Sequence, residues 1–415
     1  MDQTATTDHS TDAFGAALRR AAPWIGVLML LVLLAGAFIL ETHREVTDPG
    51  DSDAIAFVTG AHLMVSDPQQ LYSAAAQEHV EAQLLHLPPA DHFLNPYPNI
   101  AVGALLLSPL GHLDLRPATE IAVLVSTLLF VAALLLALRL LAPVASPAMR
   151  YAIAIATVFC LPAVGAIFQW DSLMTAAALG SALLAERRRF GLAGLVLATL
   201  ILKPQVLWLV VPALIAARSW RYLGGLLLGS VAWMTVSLII TGPRSLIALV
   251  QLVFGNYPGQ SDSSVGLPSL ISTVTGSGLV GFIAAGCLGV LAGGVLLWRR
   301  DLVQGQPVAA VAIGLVLSLL CSPHVTPEDL MLCALPIAVV ARRRPRLALA
   351  EALAISACVV VQLGLQAGAQ HLEPLVLVAV ATTIVLAARP RATSSAPRRA
   401  SKPPLCAGGA GAMST

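Results

Sequence analysis

Apolar residues in this chain fall into long unbroken runs, with the polar residues confined to the gaps between them. Runs close to the ~20 residues that a helix needs to cross a bilayer's hydrocarbon occupy 23–40, 118–141, 222–241, 278–298, 307–322 and 347–366. Shorter runs at 151–168, 172–185, 190–202, 205–217, 330–341 and 374–388 pair into hairpins. A stretch at 100–113 is too short to cross upright and is expected to form a short, tilted or re-entrant helix. The pattern predicts an all-α, polytopic transmembrane bundle of about 11–13 spans. Its expected organisation is a cytoplasmic tail over 1–22, a membrane domain over 23–388, and a disordered cytoplasmic tail over 389–415, rich in Pro, Ser and Arg.

Composition agrees with this frame. Hydrophobic residues make up 57% of the chain and charged residues only 11%, against roughly 25% charged in soluble domains, so a water-soluble core is excluded. The net charge of +2 says little, because orientation follows the distribution of Lys and Arg among loops. Arg19 and Arg20 precede the first run and set the N-terminus in the cytoplasm; without a small-residue cleavage site, that run reads as an uncleaved anchor. Alternating the spans from there puts 20 of the 24 basic residues on the cytoplasmic side, leaving Arg44, Arg116, Lys203 and Arg244 outside. A full crossing by 100–113 would invert every later cluster, so the charge bias supports a short or re-entrant segment. Arg outnumbers Lys 22 to 2 in an Ala- and Leu-rich chain, which fits a high-GC bacterium and a multi-pass protein of its plasma membrane with both termini cytoplasmic.

Several chemistries find no support. The six cysteines show no CxxC or Cys/His metal spacing and read as small buried hydrophobes. No Walker A motif, GxGxxG, HExxH or GxSxG stands in a supporting context. No cofactor is indicated, a divalent cation is compatible with the sequence but not indicated by it, and nothing implies a nucleic-acid partner.

The polar groups that interrupt apolar sequence all fall on the extracytoplasmic side. A loop over 41–98, too long for a simple connection, is expected to carry helices along the membrane surface, with apolar positions Ile55, Val58 and Leu63, then Leu71, Ala75, Val80 and Leu84, turned to one side. It opens with Asp51 and Asp53. Asp53 stands where an N-cap stands, so helix capping and catalysis both fit it. The loop closes on Asn95-Pro96-Tyr97-Pro98-Asn99, whose prolines stiffen the chain as it returns to the membrane. Gln169-Trp170-Asp171 places an acid at the edge of two apolar runs, a functional candidate by default, although Trp170 also suits an interfacial anchor. Lys203 is the only lysine before the tail, in Lys203-Pro204-Gln205 at the tip of a hairpin. A compact ammonium there suits a lipid-linked phosphate, or simply snorkels to end a helix. Ser322-Pro323-His324, followed by Glu328-Asp329, caps a helix or lines a site. The segment 255–268, with Asn256 and Tyr257, has the composition of a flexible connector and side chains that suit a sugar or headgroup.

Taken in order, these elements resemble glycosyltransferase family 87, polyprenol-phosphate-mannose-dependent enzymes of the GT-C class. The resemblance covers roughly 51–346. It is carried by Asp53 with Gln69-Gln70-Leu71-Tyr72-Ser73, by Tyr97-Pro98, and by Leu202-Lys203-Pro204-Gln205. Departures are Phe168 for a Gly, Asp171 for an Asn, and Asn99 for a second Pro. The resemblance implies transfer of a hexose, mannose first among them, from a polyprenyl-phosphate donor to a lipid or glycan hydroxyl on the outer face. It further implies Asp53 as general base with Asp51 in reserve, and Lys203 with His324 at the leaving phosphate. Gln169, Asp171, Gln205, Tyr97 and Asn256 would contact substrate. The rival class is a transporter or lipid-linked sugar flippase, which Pro-broken helices also fit.

Overall fold

The computed structural model describes residues 52–87, 94–158, 169–253, 266–365 and 373–388, with isolated helical positions between 28 and 50. Both expected tails lie outside the described residues. Among the described residues every regular element is helical, as unbroken apolar runs without period-two alternation require.

The helices are α1 (Ala54–Ser66), α2 (Ala74–Leu85), α3 (Ala101–Leu107), α4 (Leu115–Leu140), α5 (Pro147–Val158), α6 (Asp171–Glu186), α7 (Phe190–Leu197), α8 (Val210–Ala216) and α9 (Trp220–Thr241). They continue as α10 (Ser245–Val253), α11 (Leu267–Thr275), α12 (Gly278–Trp298), α13 (Pro307–Cys321), α14 (Ala334–Ala341), α15 (Pro345–Leu365) and α16 (Glu373–Ala388). Tighter 3₁₀ turns extend several of them: Ser108–His112 after α3, Ala198–Leu202 after α7, Pro204–Val206 before α8, and Pro327–Cys333 before α14. Of these, α4, α9 and α12 are long and apolar enough to cross a membrane.

One end of the bundle collects the arginines. Arg342 donates to the Leu140 carbonyl at 3.0 Å and pairs with Glu186, tying the ends of α4, α6 and α14 together. The Gly305 N–H bonds the Ala217 carbonyl at 3.2 Å, bringing the end of α8 beside the start of α13. Exposed Tyr151, Trp220 and Trp298 lie at this same end, beside Arg150, Arg221 and Arg299, and form the aromatic belt expected where a helix leaves lipid.

The segment from α7 to α8 is a hairpin, and the direction of α9 proves it. Gly191 and Gly194 meet Tyr222 to Leu226, while Leu195 and Ala198 meet Gly229, so α7 and α9 run parallel and the chain between them must return. The approach is backbone to backbone: a Cβ on Gly194 would sit 2.1 Å from the Tyr222 carbonyl, and one on Gly225 2.1 Å from that of Gly191. In lipid, where apolar burial no longer drives helices together, small residues of this kind permit the van der Waals contact that holds them. Lys203 is therefore at the hairpin tip, opposite the arginine end.

Helix length then shapes that opposite end. From the arginine end, α6 with 16 residues, α7 with its 3₁₀ turn (8 and 5 residues) and α13 with 15 rise about 22–24 Å. By contrast α4, α9 and α12, with 26, 22 and 21 residues, rise about 31–39 Å. The short inner helices end roughly 10 Å before the longer outer ones. The step in length leaves a recess at that end, and residues 52–87 and 94–112 pack over it.

That cover departs from a helix lying flat on a membrane. α1 is buried on nearly every side, because Ala-Ile-Ala-Phe-Val-Thr-Gly-Ala carries no charged face to leave in water, and a helix apolar all round is an interior helix. In α2 the buried side is centred on Gln77 and Glu81, while Ala75 is exposed. The polar pair is inside because it holds the loop: Gln77 donates to the Leu71 carbonyl at 2.6 Å and accepts from the Tyr97 N–H at 2.8 Å, and Glu81 accepts from Asn95 N–H at 3.1 Å. The stretch after Asn99 begins and ends at the recess: Val102 N–H bonds Ser237 near the far end of α9, and α4 starts from there at Leu115. It is a short helical piece, α3 followed by a 3₁₀ turn, in keeping with the short length read from the run. The segment 255–268 yields a helix only from Leu267; residues 254–265 lie outside the described set.

Candidate active site

Asp53 immediately precedes α1. Its main-chain carbonyl accepts from Phe57 N–H at 3.2 Å, but its carboxylate makes no cap bond. The local N–H of Ala54 turns instead to Ser52 Oγ, at 3.1 Å. The Asp53 side chain is exposed and accepts a close hydrogen bond from the Gln169 amide, so the capping alternative does not describe it.

Gln169 sits just before α6, and the next residues fix it. Trp170 stands edge-on to Phe57 with ring centres 5.8 Å apart, and Phe57 stands edge-on to Tyr97 at 5.8 Å. Gly103 lets both rings close in, since a Cβ there would lie 2.5 Å from the Tyr97 hydroxyl and 3.0 Å from Trp170. Phe57 is one turn along α1 from Asp53, so the cover docks on α6 at two points: carboxylate to amide, and ring to ring.

Asp171, the first residue of α6, is wholly buried and accepts from Lys203 Nζ at 2.9 Å. Lys203 also donates to Asp329 at 2.8 Å. The other Asp329 oxygen accepts from the Thr326 N–H at 2.9 Å and its hydroxyl at 3.3 Å, a reciprocal capping box that sets the Pro327–Cys333 turn. An ammonium this deep survives only if its charge and donors are met, and two carboxylates meet them. His324, exposed on the loop after α13, lies within electrostatic range of Asp329, Lys203 and Asp53. Glu328 lies within range of Lys203 and Asp53. Asp53, Gln169, Asp171, Lys203, His324, Glu328 and Asp329 thus converge on the recess.

The other candidates divide. Gln205 is half-buried on the turn that follows Lys203. Tyr97 is fully buried, between Phe57 and the glycines of α1 and α3, and braces the cover from inside. Asp51 and Asn256 lie outside the described residues. The sequence offered no partner for Lys203; it gave Glu328-Asp329 a capping or site-lining role, and Asp329 does both, closing the capping box and binding Lys203. Of the cysteines, Cys321 and Cys333 are buried as expected, whereas Cys287 is exposed on the outward side of α12. Among the described residues no group of three or more His, Cys, Asp or Glu is placed to hold a metal ion.

Fold and site together define a polytopic helical membrane protein whose ionisable side chains gather in a recess at one end. A family model for glycosyltransferase family 87 matches residues 97–323. That is more than half of the 415 residues, and the chain belongs to this family: it is a membrane glycosyltransferase. The matched span takes in Gln169, Asp171, Lys203 and Gln205 and ends one residue before His324. No curated protein and no solved structure matches the chain.

Proposed function

We propose that the protein moves a hexose, mannose first among the candidates, from a polyprenyl-phosphate donor to a hydroxyl of a lipid or glycan acceptor. In this reading the recess faces the extracytoplasmic side of a bacterial plasma membrane and the arginine end faces the cytoplasm, in keeping with the positive-inside bias. The observation that carries it is the joining of Asp53 to the buried ion cluster through Gln169 and Asp171 at the end of the bundle opposite the arginines.

Asp53 is the general base. Gln169 occupies one of its oxygens and leaves the other to take the acceptor's proton as the acceptor oxygen attacks C1 of the sugar, while the C1 to phosphate-oxygen bond breaks and the polyprenyl phosphate leaves. A carboxylate positioned for such a transfer contributes ~10²–10⁴-fold. Asp51, two residues earlier, is the reserve. Charge developing on the leaving phosphate needs a positive partner in a poorly hydrated site. Lys203 is the positive group available, with two carboxylates already bound, and His324, on the exposed loop after α13, is a second polar partner for the phosphate. Gln205 and Asn256 would contact sugar hydroxyls. No cofactor enters the scheme, and divalent cations are not required by it.

The direct test uses purified protein in proteoliposomes, a labelled polyprenyl phosphomannose, and an envelope lipid extract as acceptor. Label should pass to a new lipid or glycan product. Label that stays on the donor, with this and with polyprenyl phosphoglucose and phosphoarabinose, would reject the donor class. Label that only changes leaflet would identify the flippase.

A further inference from the structure

Glu328 stands outside both the ion cluster and the proposed chemistry, and the side-chain partner that meets its carboxylate is the Thr326 hydroxyl. Its neighbour Asp329 is fully engaged, one oxygen on Lys203 and the other on Thr326. The Oε2 atom of Glu328 is buried and has no hydrogen-bond partner. Asp171, which shares Lys203 Nζ with Asp329, keeps Oδ1 buried and without a hydrogen-bond partner, and Ser172, the next residue, keeps a buried hydroxyl without a partner. Both residues are at most 1% exposed. Native interiors pair such atoms in more than ~90% of cases, and a buried acceptor left unmet costs about 1–3 kcal/mol, more when charged.

What would complete this set must donate hydrogen bonds to the carboxylate oxygens and also accept one from Ser172. A metal ion does not answer: it offers no acceptor, and no described cluster holds three ligands for one. An ammonium does not answer either, since it cannot accept. Hydroxyl groups do both, as water does, and a sugar ring presents several of them at once in fixed positions, which separate waters do not. Charge narrows the choice further. Among the described residues, four carboxylates (Asp53, Asp171, Glu328 and Asp329) gather around one ammonium, Lys203, so a sugar that carries its own carboxylate would be repelled.

Resting on the reading of the protein as a transferase that uses a polyprenyl-phosphate sugar, we propose that Glu328 is a specificity-determining residue that accepts hydrogen bonds from hydroxyls of the transferred neutral hexose. Asp171 Oδ1 and the Ser172 hydroxyl complete that subsite. A site built around a hydroxyl rejects the analogue that lacks it far more strongly than an apolar pocket does.

The test measures binding, so it does not depend on turnover. Full-length protein, as wild type, Glu328→Gln and Glu328→Ala, is titrated with polyprenyl phosphomannose, its monodeoxy analogues, and the matching uronic-acid donor. Wild type should bind at least one monodeoxy analogue and the uronic-acid donor more weakly than the parent by about tenfold or more. Glu328→Ala should bind the parent more weakly and distinguish parent from that analogue by less than about threefold, with Glu328→Gln between the two. The glutamine variant preserves shape and decides the matter if the alanine variant does not fold. Wild type that binds the donor without discriminating, or variants that discriminate as wild type does, would overturn this role while leaving the transferase reading intact. Wild type that binds none of the donors would overturn both.

Discussion

Lys203 and Asp329 are 126 positions apart and are joined by a 2.8 Å ion pair buried at the floor of the recess, with Asp171 on the other side of the same ammonium. Three separate segments meet there: the tip of the α7 to α8 hairpin, the start of α6, and the turn before α14. Because burial of a charge costs several kcal/mol and only its partners offset this, the three segments are held as one unit.

Removing the ammonium should therefore be worse than removing the cluster's charges together. Lys203→Met strands two buried carboxylates and is expected to cost about 3–5 kcal/mol. Adding Asp329→Asn to it should recover part of that loss. Melting temperature in detergent, followed for both single variants and the double, gives the coupling. Additive effects would show that the pair is not coupled.

Much of this fold was legible in the runs themselves. The bounds read for 222–241, 278–298 and 190–202 fall within two residues of the helical bounds, because an apolar run closed by Arg or by Pro leaves a membrane helix few alternatives. The position of Lys203 opposite the arginines was legible too, since charge asymmetry alternates with each span. Partnership was not. Lys203 and Asp329 are brought together by the hairpin and the capping box, which are tertiary facts, and a lone lysine at a bilayer edge reads equally as a phosphate ligand. α1 was misread for a different reason: a few apolar positions were taken to define a side, although the helix has no polar side at all.

Asp53→Asn should leave insertion, yield and melting temperature near those of wild type, because the residue is exposed and an amide preserves its size. Transfer should fall by ~10²-fold or more. Initial rates at saturating donor and acceptor measure this, and rates within a few-fold of wild type would remove Asp53 from the mechanism and bring Asp51 forward.

The glycine contact between α7 and α9 supports the recess from below. Gly225→Val places a branched side chain against the Gly191 carbonyl, where even a Cβ would stand at 2.1 Å. The helices must part, with an expected loss of about 1–3 kcal/mol. Gly224→Val, one position along with open space at its Cβ, is the control and should melt close to wild type.

Sidedness can be read with single cysteines in an otherwise cysteine-free chain. Positions 53 and 324 should react with an impermeant maleimide from outside intact cells, and positions 188 and 299 only after lysis. Labelling of 53 or 324 that appears from both sides in turn, depending on substrate, would mark alternating access and return the transporter to contention.

Gln169 carries the sharpest choice between roles. If it contacts the sugar, Gln169→Ala should raise the donor KM and leave kcat less affected, since binding is lost alike from ground and transition states. The hydrogen bond it donates to Asp53 predicts the reverse. With that donor gone, the carboxylate is free to rotate away from the acceptor, and kcat should fall about 10- to 100-fold while the donor KM stays within a factor of about two or three. Gln169→Asn, which keeps the amide on a shorter arm, should restore part of kcat. Trp170→Ala should then resemble Gln169→Ala in its kinetics, because the ring contact with Phe57 is the second point by which the cover is held. Steady-state rates over a full donor titration separate the cases, and a dominant KM effect in both variants would assign Gln169 to the sugar.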